Sequence, residues 1–156
     1  MIILDFKFEI IIGGNTMLIK WKESFALGID KVDQQHKEIF DKTNELIKLR
    51  KEKADRAKQY EQVGKVLDFL IDYVKSHFES EEKIQQKYNY PNYEKHKKIH
   101  QKFIARIEEL QAEYEADDHS MSTLLQLSKT LLDWLVNHIG QADRKLANYL
   151  DSIDAN

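Results

Sequence analysis

Two pairs of potential metal ligands stand four residues apart in residues 73–100, YVKSHFESEEKIQQKYNYPNYEKHKKIH: His77 with Glu81, then His96 with His100. A spacing of four is slightly more than one helical turn, so each pair lies on one helix face. A short break around Pro91 separates the pairs, so consecutive helices can bring them to one point. Three imidazoles and a carboxylate meeting inside a helix bundle suit a metal ion better than any other chemistry. The chain has no cysteine, which excludes disulfides, thiolate zinc sites and cysteine-ligated iron–sulfur clusters. Any metal must be held by His, Asp and Glu.

The elements that would position these residues are helices. A chain of 156 residues suggests one domain with a buried core. Charged residues make up 33% and hydrophobic ones 42%, with only five Gly and one Pro to interrupt long helices. The formal charge of -3 and the lack of a basic block argue against nucleic acid as a partner. Apolar spacing predicts helices over residues 32–51, 60–88, 93–116 and 121–150, with the charged stretch 50–58 as a solvated connection. Asp30 or Asp33 can cap the first helix, and Ser120 or Ser122 the fourth. The expected fold is all-α: an up-down-up-down four-helix bundle with an extended N-terminal arm. In that arm, residues 17–32, Trp21 and Phe25 are aromatic anchors against the bundle end.

Residues 1–16 differ from the rest. Leu4, Phe6, Phe8, Ile10 and Ile12 alternate with charged positions, the period of a strand, and Gly13 to Thr16 reads as a turn. The run is too short and too charged for a membrane span or a signal peptide, and the expected location is cytoplasmic. Two readings stand: the working chain begins at Met17, leaving residues 17–156 as the domain, or residues 1–16 form a strand that pairs with another subunit.

Five of the six histidines fall on inner helix faces. His36 precedes Phe40 by one turn in the first helix, His138 and Asp143 lie in the fourth, and His119 is in a loop. Several buried imidazoles and carboxylates in one layer would weaken a core unless something binds them. His138 and Asp143 are five apart, roughly 140° around an ideal helix. Either the site is broad enough for two metals or the helix bulges locally.

The order His36 in DQQHKEIF, His77 and Glu81 in HFESEE, His96 and His100 in HKKIH, and His138 and Asp143 in WLVNHIGQAD resembles the hemerythrin family, bacteriohemerythrins in particular. The resemblance runs from about Met17 to Leu150 and includes the arm and Gly28-Ile29-Asp30. It implies a non-haem di-iron centre with an oxo or hydroxo bridge. His96, His100 and His138 would serve one iron, His36 and His77 the other, and Glu81 and Asp143 would bridge. Of twelve positions on two octahedral irons, such a set fills eleven, leaving one on the two-histidine iron for dioxygen. Five neutral imidazoles with only two carboxylates favour the ferrous state, hence reversible binding over oxygen activation. Trp134, Leu135 and Ile139 would line the oxygen pocket, with Phe40 and Ile39 nearby. One departure is Leu146, three positions after Asp143, where many relatives carry an aromatic; leucine supplies no outer hydrogen bond there. Glu79 and Glu82 read as solvated.

The leading expectation is therefore reversible dioxygen binding as carrier, store or delivery protein, not an enzyme. The alternatives are a di-iron redox enzyme reducing peroxide or nitric oxide, or an oxygen or redox sensor acting through a separate partner. No further general acid or base is apparent near the ligands, which counts against the enzyme. A ferritin-like oxidase would need Glu-x-x-His motifs, which Glu81 and Glu94 do not provide. The apolar N-terminal stretch suggests a homo-oligomer, and delivery implies an oxygen-consuming protein partner.

Overall fold

The computed structural model describes residues 10–13, 16–52, 55–116 and 120–155. Four long helical rods make the bundle: α1 (Asp30–Leu49), α2 (Arg56–Lys87), α3 (Tyr93–Ala116), and a fourth formed by α4 (Met121–His138), a π turn (Ile139–Asp143) and α5 (Arg144–Ser152). Helix α1 packs on α2 and α4, and α3 packs on α2 and α4, the square arrangement of an up-down-up-down bundle. The main core runs along its axis through Leu46, Leu67, Leu70, Leu110, Leu124, Leu127 and Leu131, all at most 1% exposed. Spacings of three and four put these residues on single faces.

The helix ends have local causes. Neither Asp30 nor Asp33 caps α1: the N-cap is Ile29, without a side-chain bond. Asp33 instead reaches back and accepts from the Leu27 and Gly28 amides at 2.8 and 3.1 Å. Gly28 turns the chain there with φ 77, a left-handed conformation natural to glycine. Helix α2 starts at Arg56, four residues before the expected start, because Asp55 caps it through the Ala57 amide at 3.0 Å. Asn89, with φ 52, ends α2 before Pro91. Tyr149 of α5 donates to the Tyr88 carbonyl at 2.8 Å, tying the last helix to that turn. Ser120 caps α4 through the Ser122 amide at 3.2 Å.

The arm is a strand and a turn. β1 (Ile10–Gly13) pairs antiparallel with β2 (Thr16–Ile19), with Ile12 opposite Met17, so the hairpin straddles the expected boundary at Met17. Residues 1–9 of the expected strand, the turn residues Gly14 and Asn15, and His119 lie outside the described residues. Asn44 of α1 holds β2 by both backbone groups of Ile19, accepting from its N–H at 2.9 Å and donating to its C=O at 2.6 Å. A 3₁₀ turn at Glu23–Phe25 follows. Trp21 and Phe25 pack on Phe40 with ring centroids 5.7 and 5.5 Å away, which seats the arm on α1. Arg144 locks it to the fourth rod by donating to the Ser24 and Ala26 carbonyls at 2.8 and 3.0 Å.

Candidate metal centre

All seven expected ligand residues meet in one buried layer. None is more than 5% exposed, and Glu81 and Asp143 are wholly enclosed. Helix α1 supplies His36, α2 His77 and Glu81, α3 His96 and His100, and the fourth rod His138 and Asp143. The π turn resolves the awkward spacing. It inserts one residue into the helix at Ile139–Asp143 and brings His138 Nε2 within 2.8 Å of Asp143 Oδ1.

The donors divide into two groups that share the carboxylates. His96, His100 and His138 gather with Glu81 and Asp143; His36 and His77 gather with the same two acids. Glu81 turns Oε2 toward His96 and His100, at 3.5 and 3.2 Å, and Oε1 toward His77 at 3.7 Å. Asp143 turns Oδ1 toward His96 and His138, and Oδ2 toward His36 at 3.2 Å.

This donor set fits metal ions. The Nε2 atoms of His36 and His77 are 3.1 Å apart, as are those of His100 and His138; His96 and His138 are 3.2 Å apart. Neighbouring donors at right angles on one ion, with bonds of about 2.1 Å, stand about 3.0 Å apart. All four carboxylate oxygens are buried without a hydrogen-bond partner, a costly arrangement unless a cation completes it. Among the described residues no lysine or arginine pairs with either acid.

The electrostatics of the bare cluster agree. Burial tends to raise the pKa of both carboxyls, but the surrounding imidazoles outweigh it, and both stay below the usual range, Asp143 well below. Burial pushes His77 down to about 4, keeping it neutral. Burial also pulls on His96, but the neighbouring carboxylates of Asp143 and Glu81 prevail and raise it to about 9. The layer thus holds two anionic carboxylates among its imidazoles.

Outer contacts orient the rings. His77 Nδ1 lies 3.0 Å from Gln35 Oε1, and His100 Nδ1 lies 3.0 Å from Glu82 Oε1. With Nδ1–H donated outward, each Nε2 lone pair faces inward. Glu82 is therefore not simply solvated, and Gln35 is a site residue that helical periodicity alone does not single out. Their only sequence signal is adjacency to His36 and Glu81. Phe78 stacks on His100 at 3.7 Å and 4°; Trp134 stacks on His138 at 4.2 Å and 14° and on Phe103 at 3.8 Å. Trp134 thus packs against the three-histidine group. Phe40 lies with Trp21 and Phe25 one turn beyond His36, and Ile39, Leu135 and Ile139 are buried in the core.

Comparison with known proteins agrees with this geometry. Residues 27–150 match the profile of the hemerythrin HHE cation binding domain. A bacteriohemerythrin of Stenotrophomonas maltophilia is 34% identical over 132 residues, 84% of this chain and 80% of that protein. One of Methylococcus capsulatus is 36% identical over 128 residues, 81% and 92% of the two chains. A myohemerythrin of Riftia pachyptila is 31% identical over 125 residues, 80% and 88%. A crystal structure of wild-type hemerythrin superposes with a TM-score of 0.71 at 34% identity, covering 84% of this chain and 96% of that one. With its bundle, its divided ligand layer and these relatives, the chain belongs to the hemerythrin family.

Proposed function

We propose that the protein binds dioxygen reversibly at a non-haem di-iron centre, as a carrier, store or delivery protein. The observation that carries this reading is the division of seven donors into groups of three and two imidazoles, each sharing both carboxylates. His96, His100 and His138 would hold one iron and His36 and His77 the other, with Glu81 and Asp143 serving both and an oxo or hydroxo group completing the pair. An iron pair held this way supplies an uptake site for dioxygen on the two-histidine side. The chain's part is to hold the donors rigid and keep water out. Gln35 and Glu82 fix two imidazoles by hydrogen bonds. Phe78, Phe103 and Trp134 wall the three-histidine side, while Ile39, Phe40, Leu135 and Ile139 supply apolar bulk around the layer. This apolar wall keeps water and its protons away from the layer.

The working unit is residues 17–156, with residues 1–16 an extension, and its place is the cytoplasm. Among the described residues no helix is long and apolar enough to cross a membrane. An oxygen-consuming protein is the expected recipient.

Iron content and visible spectra of one sample, reduced without air and then cycled through oxygen, test the reading. Two irons per chain and visible bands that appear with oxygen and vanish on its removal are expected. Catalytic consumption of peroxide or nitric oxide with a reductant would replace the carrier by an enzyme. A chain starting at Met17 should retain both irons.

A further inference from the structure

Gln85 is a buried polar residue that the centre described above leaves unused. Its side chain is 0% exposed, and neither carboxamide atom has a hydrogen-bond partner. Its backbone is fixed, since its carbonyl accepts from the Tyr90 N–H at 2.8 Å where α2 ends. Enclosing an amide without partners is unfavourable, so a buried glutamine needs a counterpart.

The helix points to that counterpart. Gln85 follows Glu81 by four residues and His77 by eight on α2, so all three share a face. A helical side chain leans toward the N-terminus, over the turn before its own Cα. The carboxamide is thereby carried toward Glu81, whose two oxygens also lack hydrogen bonds. The apolar clusters at this end of the bundle, which include Ile84, Leu146, Ala147 and Leu150, offer little competition.

We propose that Gln85 is a positioning residue for Glu81: its Nε2–H donates to that carboxylate through one trapped water and holds it across both metal positions. The proposal rests on the two-metal reading. Glu81 must keep Oε1 on the His77 side and Oε2 on the His96 and His100 side. Rotation about its last bond would disturb both groups together, and a donor beside the carboxylate resists it. An amide does so without adding charge to a layer that already holds two anions.

The test compares the full chain with Gln85→Met, similar in length but unable to donate, and with Gln85→Leu should the first variant not fold. Each is studied metal-free and after anaerobic loading with ferrous iron. The metal-free variant should melt no lower than the parent, because an unsatisfied amide has been removed. The loaded variant should lose iron to a ferrous chelator roughly ten-fold faster or more, and the visible band of its oxidised form should shift. Iron retention and band position equal to the parent would overturn the proposal. So would a metal-free form weakened in proportion to the iron loss, which would mark Gln85 as plain packing. A parent that binds no iron pair would overturn the two-metal reading itself, and this inference with it.

Discussion

Deleting Gln141 should leave both metal positions intact, although it removes a residue between two ligands. In an α-helix each residue turns 100°, so residues five apart diverge by about 140° and residues four apart by about 40°. The turn Ile139–Asp143 carries one residue more than an α turn, and it holds His138 Nε2 2.8 Å from Asp143 Oδ1. Without Gln141, which is exposed, the turn closes as ordinary α-helix. His138 and Asp143 then stand four apart on one face. Leu146, Ala147 and Leu150 keep their inward direction, because the π turn has already absorbed the extra residue. Deleting exposed Glu79, in regular α2, makes the contrasting case. It rotates Leu67, Leu70 and Val74 by about 100° relative to Glu81 and Gln85. Each large apolar side chain taken from a core costs about 2–5 kcal/mol, so three together are comparable to the roughly 5–15 kcal/mol that holds a domain together. Circular-dichroism melting and iron counting read both variants. At this chain length a kcal/mol is worth about 2–4 °C, and the Gln141 deletion should melt within about 5 °C of the parent with two irons. Loss of iron or collapse like that of the Glu79 deletion would refute the claim that the π turn aligns the ligands.

Other expectations follow from the same contacts. Glu81→Ala or Asp143→Ala should lower iron below two per chain, since each acid serves both groups; two irons with an unchanged spectrum would contradict the bridging roles. Glu82→Ala and Gln35→Ala should each weaken metal retention about 10–100-fold in chelator competition. Removing the metal should lower the melting temperature, because free metal at 1,000 times its dissociation constant adds about 4 kcal/mol, read by calorimetry with and without iron. Tyr149→Phe loses the bond to the Tyr88 carbonyl, about 1 kcal/mol, and should lower the melting temperature by a few degrees while iron content stays the same.

The candidate ligand layer is legible in the sequence because donors carried on helices leave a periodic trace. His77 with Glu81 and His96 with His100 declare their faces by spacing alone, and α3 lies at the expected residues. The conflict between His138 and Asp143 is itself informative, since periodicity marks the site of the π turn by failing there. What is not legible depends on single side chains choosing among local partners. Asp33 serves the loop before α1 instead of its N-cap, and Asp55 starts α2 early. The outer contacts are hidden for another reason. Gln35 and Glu82 reach candidate ligands 42 and 18 residues away in the chain, and no local pattern encodes such a pairing.

The grip of Asn44 on Ile19 has a consequence for how the molecule meets its neighbours. In a strand, the N–H and C=O of one residue point to the same side, so a side-chain amide that engages both imitates an adjoining strand. A helix residue therefore answers β2 at Ile19, on a flank where another chain could otherwise add. Exposed strand flanks are the usual route to runaway pairing between molecules. One carboxamide on α1 thus acts as a stopper on this flank of β2 and ties the strand to the bundle wall.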